Sequence, residues 1–211
     1  MPIRIATPAD GPRLAAIYRP AVVSLATSFE LAPPNGSEMA RRVTRITART
    51  PWLVEEETGE VLGYAYASAH RDRPAYAWSV EVSAYVDAAA QRHGLGRALY
   101  TSLLAILTLQ GFQNAYAGIT LPNPASIAFH ESLGFTPVGT YRLVGYKHGR
   151  WHDVQWYERS LGAHPADPPP PRPLPEVMQV AGFAGALAMG DKTPERESGR
   201  ARTRKLPRPR P

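Results

Sequence analysis

The sequence predicts a layered α+β domain, with a sheet of about six or seven strands covered by helices. Three observations predict it. Within residues 1–162, short segments rich in β-branched and aromatic residues alternate with segments carrying an apolar stripe at helical spacing. Glycine, proline and capping residues punctuate those segments at their ends. A hydrophobic fraction of 44% over 211 residues is enough for one substantial core and short for two.

The elements follow in order. "IRIA" alternates like an edge strand, and "TPADGPRLAAIYRPAV" reads as a helix with Thr7 as its cap and Pro8 at its first position. "SEMARRVTRITAR" places Met39, Val43 and Ile46 on one helical face, with Ser37 just upstream as a cap. "PWLVEEE", a turn at "TGE" and "VLGYAYASAH" form a hairpin pattern that "AYAWSVEVSAYV" continues as a long strand. "LGRALYTSLLAILTLQG" is an amphipathic helix closed by Gly111, and "NAYAGIT" is a short strand. "NPASIAFHESLGF" is a short helix from Pro124 to about Gly134, followed by strands around "TPVGTYRLVGYKH" and "WHDVQWYERSL". The order is β α α β β β α β α β β.

The net charge of +6 is unevenly placed. Residues 163–211 hold 9 Lys+Arg against 5 Asp+Glu, and 11 of the 22 prolines, so the globular part is nearly neutral. Such a backbone supplies few ladder hydrogen bonds, and the segment is expected to be extended or disordered, with one weak helix at "VMQVAGFAGALAM". The domain boundary therefore falls near Gly162. Charge confined to a proline-rich tail does not suit duplex recognition, and no nucleic-acid partner is expected. No apolar run reaches 18 residues and "MPIRIATPAD" lacks a signal layout, which points to a cytoplasmic protein with no membrane partner. The absence of cysteine removes disulfides, thiolate metal sites and a cysteine nucleophile together, and no metal is expected.

The loop "QRHGLGR" lies between a strand and a helix. Its glycines let main-chain N–H groups approach a ligand, and the positive end of a helix dipole stands behind them, a geometry suited to pyrophosphate. No G-x-G-x-x-G follows the first strand and no Gly-Lys-Ser/Thr opens the helix, so the two common nucleotide fingerprints are absent.

"QRHGLGRAL" resembles the acetyl-CoA pyrophosphate loop of the GCN5-related N-acetyltransferases (GNAT), and "NPASIAFHESLGF", about 30 residues on, resembles the asparagine-plus-helix segment of the same fold. "PWLV", "AYAWSVEVSAYV", "LPNPASIAFHESLGF" and "GYKHGRWHDV" are similar, in order and spacing, to the phosphinothricin N-acetyltransferase branch. The resemblance covers residues 1 to about 161 and leaves the tail without a counterpart. It implies a mostly antiparallel GNAT sheet, acetyl-CoA as co-substrate, a homodimer, and an acceptor amine on a small amino-acid-like molecule of the phosphinothricin or methionine sulfone/sulfoximine type. A protein or peptide acetyltransferase and a non-catalytic acyl-CoA-binding protein are the alternatives.

The same resemblance assigns roles to residues. Glu81, mid-strand in "WSVEVSAYV", matches the general-base position; a carboxylate among apolar neighbours needs either a function or an ion pair. His130 stands where many relatives of the wider fold carry a tyrosine that protonates the leaving thiolate. Ala84, Tyr85 and Val86 would pair with the pantetheine arm as an added strand. Arg92, His93, Gly94, Leu95, Gly96 and Arg97 would wrap the pyrophosphate, with Asn123 and Ser126 on the next helix completing the cofactor site. Arg71 and Arg73 would clamp an acidic acceptor. Phe29 and Glu30 match an early loop near the substrate, and Tyr76 and Trp78 would wall the pocket.

Overall fold

A computed structural model describes residues 2–192. Seven strands form one sheet in the order β1-β2-β3-β4-β5-β7-β6, where β1 is Ile3–Ile5, β2 Trp52–Glu57, β3 Glu60–Ala69, β4 Ser79–Val86, β5 Asn114–Thr120, β6 Thr136–Lys147 and β7 Arg150–Ser160. All neighbours are antiparallel except β4 and β5. That parallel pair requires a crossover, supplied by α3, Leu95–Gln110. The fold class and element order are those expected.

Each face of the sheet carries its own core. The period-two alternation of β2 sends Leu53 to one face and Trp52 and Val54 to the other. On the first face, Leu99, Leu103, Ile106 and Leu107 of α3 pack with Ala65, Ala67, Val80, Val82, Ala115 and Ala117. On the second, Leu14, Ile17 and Tyr18 of α1 (Gly11–Val23) and Met39 and Val43 of α2 (Gly36–Thr47) cover Trp52, Val54 and Tyr64. Thr7 caps a single 3-10 turn, Pro8–Asp10, that leads into α1. Asn35, and not Ser37, caps α2: its side chain accepts from the Glu38 N–H, which places Ser37 inside the helix.

The segment after Gly162 departs from expectation. Residues 163–192 run back across α3 and contribute two short helices, α5 (Leu174–Val177) and α6 (Phe183–Leu187). Leu174 and Val177 are 1% and 0% exposed and share the α3-side core with Phe183. The prolines do limit ladder bonds, but α3 is apolar on more than its sheet-facing side, and these three side chains cover the remainder. Side chains stitch the path. The Gln110 amide donates to the carbonyls of both Arg49 and Arg172 at 2.7 Å, and the Ser102 hydroxyl donates to the Leu187 carbonyl at 2.6 Å. The core therefore crosses the expected boundary near Gly162. The basic end, "GRARTRKLPRPRP", lies outside the described residues.

Candidate active site

The parallel pair β4–β5 holds for only three residue pairs, Ser79↔Asn114, Val80↔Ala115 and Glu81↔Tyr116. Beyond Glu81 the strands part, β4 staying with β3 through Val86↔Gly63 and β5 staying with β7 through Thr120↔Val154. Alternate N–H and C=O groups of residues 82–86 consequently face a gap instead of a neighbouring strand. A cavity of about 400 Å³ occupies it, bounded by Ser83, Ala84, Tyr85 and Val86 on one side, Gly118 and Ile119 on the other, and Gln91, Asn123 and Ser126 at one end.

At that end two helices begin. Arg92 and Gly94 hold left-handed conformations, φ 65° and 77°, which turn the chain so that the opening N–H groups of α3 stand clear. Leu95 is buried and anchors the loop. A Cβ on Gly96 would meet nothing nearer than the Phe129 ring at 3.5 Å, so packing alone does not demand glycine there. Asn123 caps α4 (Pro124–Ser132), its side chain accepting from the Ser126 N–H at 3.1 Å. Turned-out strand amides beside paired helix N-termini suit an amide-bearing arm that ends in a diphosphate, and the chain thus fits the CoA moiety.

Glu81 sits at the last pair before the strands diverge. Its Oε1 accepts from His70 Nδ1 and from Arg71 Nη1, each at 3.0 Å, and its side chain is 33% exposed. Among the described residues Oε2 has no hydrogen-bond partner. Buried beneath the gap, the Tyr100 hydroxyl lies 3.2 Å from His130 Nε2, while His130 Nδ1 lies 2.8 Å from the Ser126 carbonyl. A carbonyl can only accept, so Nδ1 carries the proton and Nε2 accepts from Tyr100. Burial lowers the His130 pKa against a smaller opposing effect of the Ser126 carbonyl, and burial pushes the Tyr100 hydroxyl up. Both are neutral near pH 7.

Residues 3–156 match the family description "Acetyltransferase (GNAT) domain". The chain belongs to the GNAT acetyltransferase family. It is 42% identical over 178 residues to a phosphinothricin N-acetyltransferase of Streptomyces viridochromogenes, covering 84% of this chain and 95% of that one. It is 36% identical to an L-methionine sulfoximine/L-methionine sulfone acetyltransferase of Salmonella typhimurium, over 79% and 98% of the two chains. A crystal structure of a GNAT phosphinothricin acetyltransferase from Sinorhizobium meliloti in complex with AcCoA superposes with a TM-score of 0.76 at 40% identity, covering 79% of this chain and 92% of that one. An alignment of 178 residues cannot fit within the first 162, so the first of these similarities extends into the segment expected to lack a counterpart.

In this GNAT acetyltransferase the expected cofactor residues gather around one gap. Ala84, Tyr85, Val86, Asn123 and Ser126 line its cavity, as does His130, expected as a catalytic residue, while Arg92, His93 and Gly94 form the loop into α3 and Leu95 and Gly96 open that helix. His93 Nδ1 lies 3.3 Å from the Ala90 carbonyl, and the Arg97 guanidinium donates to Ser132 Oγ at 2.7 Å. The acceptor residues are less uniformly placed. Glu81 is not in an apolar setting, because Arg71 and His70 reach it across the β3–β4 register. Arg71 is thereby engaged within the protein, also donating to the His70 carbonyl at 2.7 Å and lying over the Trp156 ring. Arg73 precedes a 3-10 turn, Pro74–Tyr76, and Tyr76 is exposed, its ring edge-on to His70. Trp78 faces the returning C-terminal segment, its indole N–H donating to the Pro169 carbonyl at 2.8 Å. Both Glu30 oxygens accept from Arg42, at 2.7 and 3.0 Å, and one from Tyr18; Arg42 is the main reason that its pKa is lowered. Phe29 is seated against Gly145.

Tyr100 and His70 were not legible as site residues. Tyr100 is the one aromatic in an amphipathic helix, and His70 meets Glu81 only through strand register. Among the described residues no group of three or more His, Asp or Glu side chains could hold a metal ion, and no helix is long and apolar enough to cross a membrane.

Proposed function

We propose that this enzyme transfers the acetyl group of acetyl-CoA to the α-amino group of a small amino-acid-like acceptor of the phosphinothricin or methionine sulfone/sulfoximine type. The observation that carries the reading is the position of Glu81 at the mouth of the sheet gap, one oxygen held and the other without a partner. Glu81 Oε2 takes a proton from the acceptor ammonium, leaving an amine that displaces CoA from the thioester. N–H groups of residues 82–86 that face the gap receive the charge developing on the carbonyl oxygen. The Tyr100 hydroxyl, whose one proton points at His130 Nε2 in the free protein, turns that proton to the departing thiolate, and the tyrosinate regains a proton from the acylated nitrogen, which loses its second N–H proton as the amide forms. His130 accepts that proton in the free protein and so sets where it rests before reaction, since its own N–H is committed to Ser126. Arg73 is the guanidinium left to hold an acceptor carboxylate or phosphinate once Arg71 is paired with Glu81. The names of the relatives from Streptomyces, Salmonella and Sinorhizobium support the acceptor class.

The protein works as a cytoplasmic homodimer in this reading. An exposed apolar surface on the outer hairpin β6–β7, including Tyr141, Leu143, Val144, Tyr146 and Trp151, supports self-association. Release of CoA thiol with phosphinothricin, methionine sulfoximine, methionine sulfone, other amino acids and lysine- or amine-terminated peptides tests the acceptor class. Turnover confined to peptides overturns it. Glu81→Gln is expected to lower kcat by about 10² to 10⁴ with the acetyl-CoA KM nearly unchanged.

A further inference from the structure

We infer that His70 is a positioning residue for catalysis, holding the Glu81 carboxylate so that Oε2 faces the acceptor; the inference rests on the reading of Glu81 as the base.

His70 follows directly on β3, and its N–H pairs with the Ser79 carbonyl at 3.4 Å, tying the chain to the start of β4. Its ring is fixed on three sides by other rings. It stacks on Tyr116 with centroids 4.4 Å apart and planes at 20°, and it meets Trp156 and Tyr76 edge-on at 5.9 and 6.0 Å. The side chain is 13% exposed. Among the described residues its one side-chain hydrogen bond goes to Glu81 Oε1, so the imidazole has a set orientation and a single polar task.

The second donor to Oε1 differs in kind. Arg71 is the more exposed partner, with 43% of its side chain accessible against 13% for His70, and a long exposed side chain loses more rotamer freedom in holding one geometry. Arg71 supplies charge, and the ring-packed His70 supplies direction. With Nδ1 donating to Oε1, rotation about the terminal bond of Glu81 is restrained, and Oε2 is left as the acceptor of the incoming proton. The arrangement is a base oriented by a third group, built at a strand end.

Three His70 variants and Glu81→Gln test this in the full-length protein. His70→Phe keeps a ring for the stack and removes the donor; kcat is expected to fall about tenfold with the acetyl-CoA KM unchanged. His70→Asn puts an amide N–H where Nδ1 lies and is expected to restore kcat to within about threefold of the wild type. His70→Gln carries the donor one bond further and is expected to resemble the Phe variant, which keeps a loss variant available if the Phe variant folds poorly. The deciding measurement is the pair His70→Phe/Glu81→Gln. If His70 acts through Glu81, the double variant turns over no more slowly than Glu81→Gln alone. A full additional tenfold loss in the double variant, or wild-type kcat in His70→Phe, overturns the inference while leaving Glu81 as the base. Wild-type kcat in Glu81→Gln itself overturns the base assignment and this inference with it.

Discussion

Replacing Leu174 by alanine tests whether the segment after Gly162 is part of the domain. The side chain is 1% exposed and packs in the α3-side core, while its N–H donates to the Arg49 carbonyl at 3.0 Å. Leucine-to-alanine changes in closed cores cost about 2–5 kcal/mol; α5 lies on the outer side of α3 and can settle inward, which puts the expected cost at about 2–3 kcal/mol. For a domain of this size each kcal/mol shifts Tm by about 2–4 °C, so a fall of about 4–12 °C is expected. Thermal unfolding followed by circular dichroism measures it, with Met178→Ala as the control. Met178 is 42% exposed in the same segment, and its loss should cost no more than about 0.5 kcal/mol. If Leu174→Ala melts within about 1 °C of the wild type, the segment is not docked on α3. Truncation after Gly162 removes Leu174, Val177 and Phe183 together and bares the apolar outer side of α3, so the shortened chain should melt lower still and self-associate at concentrations where the full chain does not. The ordering entropy regained by the freed segment keeps that loss below the sum of the three burials.

Gly96→Ala should leave Tm unchanged, since its Cβ finds only ordinary contact with Phe129, and raise the acetyl-CoA KM at least several-fold; a KM unchanged from the wild type would show that no ligand approaches that backbone. Gly145→Ala places a methyl group into the Phe29 ring and should raise the acceptor KM while sparing the acetyl-CoA KM, as separate substrate titrations would report. Tyr100→Phe deletes the hydroxyl facing His130 and should lower kcat about tenfold or more with little change in either KM; normal turnover would remove Tyr100 from the proton path. His130 resists protonation in the folded state because it is buried, whereas the unfolded chain takes that proton below about pH 6.5; stability should therefore decline as pH falls through about 6.5 toward 5, and Tm in His130→Gln should fall less steeply over the same window.

What the sequence made legible was local. The order of strands and helices came from periodicity, and the helix ends at Gly111 and Gly134 from residues that adopt positive φ, as both do. The loop before α3 announced itself through its glycines. Partners that meet through tertiary structure were hidden. Glu81 was readable as an unusual carboxylate, but its apolar sequence neighbours said nothing of His70 and Arg71, which reach it across the β3–β4 pairing. Proline content argued correctly that residues 163–173 build no ladder and incorrectly that residues 174–192 stay loose, because the apolar surface they cover belongs to a helix over 60 residues earlier. Trp78 illustrates the same limit: an aromatic expected to wall the acceptor pocket donates its indole N–H to the returning chain at Pro169.

The three-pair junction between β4 and β5 also governs how the molecule should respond to its co-substrate as a material object. The sheet is two leaves, β1 to β4 and β5 with β7 and β6, joined along a short seam. A ligand whose amides pair with residues 82–86 lengthens that seam, becoming a structural member as well as a reactant. Its binding energy then adds to the cohesion of the fold, raising the melting temperature with ligand concentration. The effect should be local enough to map: amide hydrogens of residues 82–86 that exchange readily in the free protein gain protection when the gap is filled, while those of β2, already paired on both sides, change little.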